Sequence, residues 1–206
     1  MQASELFSDG LHNVQNALAS VCVAKIMGIK TQEIAGTLSN FRGIKHRVET
    51  VGEINGVTYI DDSKGTNVDA TVKAVEAMKT DTVLLLGGKN KGYDYGKLFV
   101  ALQSSKVVHA VLYGENRYEL LKCAREHAFE NVTLCNAFAL AVRIAGMLAQ
   151  KGQCVLLSPA SASFDEFTSY EERGDKFVEI VRTFTKETTT RQESIDGQDQ
   201  FTETVE

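Results

Sequence analysis

The sequence has no tryptophan and a single proline, Pro159. Little therefore interrupts a helix or strand by removing a backbone donor. The one proline stands inside a serine-rich stretch, "SPASAS". Cysteine is sparse: Cys22, Cys123, Cys135 and Cys154 are scattered with no CxxC pair. That spacing argues against a zinc site or a disulfide framework, and isolated buried thiols fit a reducing cytoplasm. No apolar run reaches the roughly 20 residues that a membrane helix needs. The first ten residues, "MQASELFSDG", are mixed and polar, unlike a signal peptide. An excess of basic charge is missing as well. The net charge is −5, and residues 185–206 hold two basic and six acidic side chains, so the rest of the chain is nearly neutral. A neutral body excludes a general nucleic-acid binder, which shows a basic face. The acidic tail, 186–206, reads as a solvated, disordered end.

What is present is an ordinary globule. The chain has 206 residues, 43% hydrophobic and 24% charged, enough for one sizeable domain with an attached piece. "HNVQNALASVCVAKIMGIK" predicts a helix, with Val14, Ala17, Leu18, Val21 and Cys22 at helical spacing and Gly28 as its stop. Thr31 is expected to cap a second helix carrying Ile34, Ala35, Leu38 and Phe41 on one side. Two short helices cannot enclose a core, so residues 1–43 are expected to be part of something larger.

From Val48 the pattern changes. Val48–Val51 and Val57–Ile60 read as strands joined at Asn55-Gly56, a strong hairpin signal. Strands and helices then alternate: a helix from Val68, the strand "TVLLLGG", the helix "YGKLFVALQ", the strand "VVHAVLYG" and the helix "RYELLKCAREHA". "NVTLC" is a short strand. The helix after it has Ala137, Leu140, Ala141, Ile144, Ala145 and Leu148 at spacing three and four. "QCVLLS" is the last strand, and a final helix carries Phe177, Ile180, Val181 and Phe184. This order predicts an α/β, Rossmann-like, mainly parallel sheet with helices on both faces.

Such sheets bind ligands at the carboxyl ends of their strands. Here those ends read "DDSKGTN", "GGKNKGYD", "GENR" and "SPASASFDEF", and the topology places them on one rim. Gly65 allows close backbone approach, and Thr66 or Asn67 can cap the following helix. Lys64 adds a charge, and Asp62 can accept from a sugar hydroxyl or sit near a metal. "GGKNKG" is neither a Walker A loop nor a GxGxxG fingerprint. Lys91 is its candidate carboxylate or phosphate partner, and Lys89 can equally be solvated. "SPASAS" is not a GxSxG nucleophile elbow, so its serines read as hydrogen-bond donors. "GENR" reads as a plain turn. His12, His46, His109 and His127 are spread out, with no pair spaced like a metal site.

"HNVQNALA", "FRGIKHRVE", "YIDDSKGTN", "LLLGGKNKG" and "LLSPASASFDEF", in this order over about residues 10–184, resemble the D-glutamate-adding branch of the Mur ligase family. These are the UDP-N-acetylmuramoyl-L-alanine:D-glutamate ligases of peptidoglycan precursor synthesis. The resemblance implies three domains in the whole enzyme and places residues 44–185 in the C-terminal, Rossmann-like one. Residues 1–43 would be the end of the central ATP-binding domain. The N-terminal and central parts, with the phosphate loop and the Mg2+ ligands, are expected to lie outside this chain, as a longer protein or a separate partner. The substrates implied are ATP, D-glutamate and UDP-N-acetylmuramoyl-L-alanine.

By the same resemblance, Asn16 contacts adenine, Arg47 reaches ATP, Asp62 holds the ribose and Lys64 lies where nucleotide and second substrate meet. Thr66, Lys91 and Ser163 grip D-glutamate, with Phe164 and Tyr170 beside it where relatives carry Leu and Phe. Gly65 replaces the alanine of many members as a tolerated variant. None of these roles is catalytic in the strict sense, and the chain alone is expected to be inactive. The alternatives are a stand-alone amino-acid or nucleotide-binding module, and a non-catalytic subunit of a split ligase.

Overall fold

A computed structural model describes residues 11–41 and 43–184. The expectation for the acidic tail lies outside them. The chain divides into two compact units, with the boundary along the sequence after Lys45.

The first unit contains α1 (Leu11–Ile26) and α2 (Thr31–Asn40). Gly28, at φ +78°, makes the left-handed turn after α1 that a side chain resists. Thr31 is not the cap expected of it. Lys30 holds that position without a side-chain bond, and the Thr31 hydroxyl instead receives the Lys25 ammonium. Val14, Ala17, Val21, Ile34, Ala35 and Leu38 are half-buried, and none of the described side chains of this unit is fully buried. Two helices offer too little apolar surface for more.

The second unit opens with a hairpin of β1 (Glu49–Ile54) and β2 (Val57–Asp61). Asn55 and Gly56 form its turn at φ 55° and 77°, the left-handed pair whose twist matches the flanking strands. Then follow α3 (Val68–Glu76), β3 (Thr82–Gly87), α4 (Gly96–Gln103), β4 (Val107–Tyr113), α5 (Arg117–Glu126), β5 (Val132–Leu134), α6 (Phe138–Leu148), β6 (Cys154–Leu157) and a last helix, α7, over 170–184. The strand order is β1-β2-β6-β3-β4-β5. All pairs are parallel except β1 with β2.

β3 shows why the sheet must be covered on both sides: all six of its residues are buried. Successive side chains in a strand point to opposite faces. Val83 and Leu85 join one core with Phe138, Ala141 and Val142 of α6 and Phe177, Ile180 and Val181 of α7. Leu84 and Leu86 join the other with α3, α4 and α5, through Val75, Phe99 and Leu120 among others. At about 2 kcal/mol for each fully buried large aliphatic or aromatic side chain, these two layers dominate the stability of the unit.

α6 differs from expectation in its facing. It buries Phe138, Ala141, Val142 and Ala145, whereas Leu140 and Leu148 are exposed. The helix is apolar on nearly every side, so spacing alone could not choose the stripe that meets the sheet.

Candidate functional site

β6 is the last strand along the chain yet lies between β2 and β3. The loops leaving β2, β6 and β3 are therefore neighbours on one rim, although they come from residues near 62, 158 and 88. Their side chains divide into those that hold the rim together and those that do not.

Asp61 ends β2, Asp62 follows it, and both are buried. Asp62 accepts from the Ser158 hydroxyl at 2.7 Å and from the Val48 backbone N–H at 3.3 Å. Burial pushes its carboxyl up to about 6, against the lowering effect of these two bonds and the positive charge of Arg47. The Ser158 oxygen also lies 3.0 Å from the Thr71 hydroxyl, which takes the Ala160 N–H at 3.0 Å. Gly65 makes the pair possible. A Cβ there would lie 2.5 Å from Asp62 Oδ2 and 2.7 Å from Ser158 Oγ, so the alanine that the resemblance gives many members would require that bond to move. Asn67 is the cap of α3, accepting from the Ala70 N–H at 2.9 Å, which leaves the Thr66 hydroxyl free of that task.

His46 lies in the turn before β1 and is buried. Its Nδ1 lies 2.6 Å from Asp61 Oδ2, and Gly174 leaves room for its ring. Burial also raises the Asp61 carboxyl, with the His46 bond opposing it. His46, Glu49 and Asp61 offer ligand atoms within 4.8 Å of one another. Glu49 accepts the His46 backbone N–H and Asp61 the Ser63 N–H, so the trio is hydrogen-bonded internally. An imidazole among two such carboxylates does not fit Mg2+, which favours an octahedron of oxygens. Arg47 is exposed between two left-handed residues, His46 at φ 60° and Val48 at φ 47°. Left-handed backbone is strained for a β-branched residue such as Val48, and strain of this kind clusters at binding sites.

Lys64 and Tyr170 meet directly. The ammonium donates to the Tyr170 hydroxyl at 2.8 Å and lies 4.5 Å from its ring centroid. Tyr170 thus brings a polar edge as well as a ring to the position where the resemblance has phenylalanine.

The loops after β3 and β6 are stitched by a bridge between Lys89 and Ala162, with the Lys89 N–H on the Ala162 carbonyl at 2.8 Å. The Lys89 side chain pairs with Glu115 at 2.6 Å. Lys91 is two residues past this bridge and exposed; Ser163 adjoins it and is buried. Phe164 is 64% exposed. Among the described residues, the side chains of Thr66, Lys91 and Ser163 make no hydrogen bond or ion pair, to one another or elsewhere.

Four architectural residues were not anticipated. Asn116, in the supposed plain turn, is buried. It donates to the Tyr95 hydroxyl at 2.7 Å and to Ser161 Oγ at 2.8 Å, and accepts the Gly88 N–H at 3.0 Å. Arg173 is wholly buried and holds Ser63 and Ser161. Its sequence signal is its place four residues before Phe177, on the apolar face of α7. Glu166 accepts the Phe138 N–H at 3.1 Å at the start of α6, and Asp165 accepts the Glu115 N–H at 3.0 Å. In the other unit, Asn16 has an exposed side chain.

Residues 46–161 match the family described as "Mur ligase, glutamate ligase domain". A UDP-N-acetylmuramoylalanine--D-glutamate ligase of Pelotomaculum thermopropionicum is 46% identical over 185 residues, covering 90% of this chain and 40% of that protein. One from Caldanaerobacter subterraneus subsp. tengcongensis is 41% identical, over 88% of this chain and 40% of that protein. This chain thus spans about 40% of the length of these relatives. Among solved structures, the fold resembles the UDP-N-acetylmuramate-alanine ligase MurC of Thermotoga maritima. The TM-score is 0.63 at 17% identity, over 86% of this chain and 39% of that one. A folylpolyglutamate synthase of Mycobacterium tuberculosis, complexed with ADP and AMPPCP, gives 0.60 at 13% identity, over 82% and 40%. The α/β fold expected from the sequence is that of these ligases, and the chain belongs to the Mur ligase family, through its glutamate ligase domain.

Proposed function

We propose that this chain is the part of an ATP-dependent amide-bond ligase that holds D-glutamate and docks part of ATP during peptidoglycan precursor synthesis, in the cytoplasm. The reading of residues 1–43 as the end of a central ATP-binding domain belongs to the same proposal. The observation that carries it is the division of labour on the rim. Ser63, Ser158, Ser161, Asn67 and Asn116 are engaged in the fold, while Thr66, Lys91 and Ser163 keep their polar groups for something else. A point charge and two hydroxyls suit the two carboxylates of an acidic amino acid.

In the reaction, a carboxylate oxygen of UDP-N-acetylmuramoyl-L-alanine attacks the γ-phosphorus of ATP, and ADP leaves. The amine of D-glutamate then adds to the acyl phosphate carbon. The tetrahedral intermediate expels phosphate, and the nitrogen loses a proton to give the amide. The contribution of this chain is positioning and charge neutralisation. Lys91, Ser163 and Thr66 fix the carboxylates and leave the amine free. Phe164 and Tyr170 flank the carbon chain. Arg47 is an always-charged fork for phosphate. Asp62 accepts from the ribose, and Lys64, steadied by Tyr170, lies toward the nucleotide. Asn16, in the helical unit, is proposed separately as an adenine contact. Mg2+, which the resemblance implies, would neutralise phosphate charge, and its ligands are expected outside this chain.

The test is binding followed by turnover. D-glutamate titrated into the isotope-labelled chain should shift the amide signals of Thr66, Lys91 and Ser163 saturably. Lys91→Ala should weaken that binding at least about tenfold, the usual scale for losing a charged hydrogen bond. Because the sequence holds no GxxGK[ST] loop, the chain alone should release no ADP in response to D-glutamate. Absence of any D-glutamate response overturns the assignment of the amino-acid site, and D-glutamate-dependent ADP release overturns the division of labour.

A further inference from the structure

Arg173 is the largest fully buried side chain among the described residues. Its Nε donates to the Ser63 hydroxyl at 2.9 Å and one terminal nitrogen to the Ser63 carbonyl at 2.8 Å. The other terminal nitrogen donates to the Ser161 carbonyl at 3.1 Å. A Cβ on Gly88 would come within 3.3 Å of that same nitrogen, so the β3 loop lies close to the guanidinium. Ser63 in turn donates to the Tyr170 carbonyl at 2.8 Å, closing the ring back onto α7. One planar group therefore bonds two loops of the rim and lies beside the third. It lies three residues from Thr66 in sequence through Ser63, two from Ser163 through Ser161, and three from Lys91 through Gly88.

Two features set it apart from an ordinary structural arginine. Its acceptors are all neutral, and among the described residues no carboxylate pairs with it. Burying an ion without a counter-ion is costly, and the cost falls when an anion comes close. Its fork also fixes two acceptor groups at a set spacing, which a lysine cannot reproduce. The first feature biases the rim toward a negatively charged guest. The second fixes how far apart the groups that hold that guest are.

We infer that Arg173 is a positioning residue for the amino-acid substrate: its guanidinium sets the spacing of the Thr66 and Ser163 loops, and its charge, which no ion pair neutralises, favours a dicarboxylate over a neutral analogue. The inference rests on the reading above that Thr66, Lys91 and Ser163 hold an acidic amino acid. It is not needed for that reading, since Arg173 itself touches no substrate.

The experiment compares D-glutamate with D-glutamine, which keeps the shape and lacks the second charge. Both are titrated into the wild-type chain, Arg173→Lys, Arg173→Met and Ser63→Ala, each first checked for a native spectrum and a cooperative melt. Arg173→Lys keeps charge without the fork, and should weaken D-glutamate about tenfold while D-glutamate is still preferred. Arg173→Met should weaken D-glutamate more than D-glutamine and so narrow the preference that Lys91 alone still supports. Ser63→Ala removes one acceptor of the fork and should weaken D-glutamate about threefold; it decides the matter alone if the arginine variants do not fold. A wild-type chain that binds neither ligand refutes the amino-acid site and the inference with it. A wild-type chain that prefers D-glutamate, with folded variants that keep its affinity and preference, overturns only the role of Arg173. Equal weakening of both ligands in Arg173→Met also overturns it, since that is what a merely structural role predicts.

Discussion

At the scale of single residues, the rim runs on buried polar groups whose partners come from far along the chain. Asp62 is the clearest case. Its carboxyl titrates near 6 in the folded chain, above its ordinary value of 3.8, mainly because burial disfavours the charged form. The folded state therefore holds this proton more tightly than the unfolded one. That contribution to stability is complete below about pH 4 and is lost as the pH rises through about 6. Its size is on the order of 3 kcal/mol. Asp61, raised for the same reason, acts with the same sign. Asp62→Asn carries no such proton, so urea unfolding from pH 4 to 7.5 should show a markedly shallower loss of stability in the variant. Identical slopes in the two proteins would remove Asp62 as the source. Residues of this class were partly legible in the sequence. Asp62 stood in a crowded motif, whereas nothing local to "GENR" marked Asn116 as buried.

At the scale of elements, the acidic pair of "SFDEF" has work that composition did not suggest. α6 begins without a side-chain cap of its own, since Ala137 occupies that position. Glu166, from the loop after β6, supplies the missing acceptor to the Phe138 N–H and sets a negative charge at the positive end of the helix. Glu166→Ala should cost about 1 kcal/mol of unfolding free energy, the usual loss of an N-terminal cap. Glu166→Gln, which can still accept, should cost less. Chemical denaturation checks both, and equal stability of Glu166→Ala and wild type would show that α6 needs no such acceptor. The elements themselves were largely readable. Turn chemistry located the β1–β2 hairpin at Asn55-Gly56, and alternation gave the strands and helices of the second unit in order. The exposed side of α6 was not readable, because a helix apolar all round carries no directional signal.

At the scale of the whole molecule, the two units differ in kind. The second has a core on each face of its sheet, whereas the first has no fully buried side chain among its described residues. A chain starting at His46 should therefore retain a cooperative thermal transition within a few degrees of that of the full chain, followed by circular dichroism. A non-cooperative melt of that shortened chain would mean that the sheet depends on the helices before it. Among the described residues, no helix is long and apolar enough to cross a membrane.

The sequence by itself determined the α/β class, the order of strands and helices, the hairpin turn and the motifs that mark the family. Each of these is written in local periodicity or in a short run of residues, where neighbours along the chain decide the outcome. Only the tertiary structure decided which polar groups build the rim and which are left for a ligand. β6, the last strand along the chain, lies between β2 and β3. That arrangement brings Ser158 to Asp62 and places Arg173 against Ser63, 110 residues away. A buried polar group must find its partner wherever the fold puts one, and no local pattern records where that is.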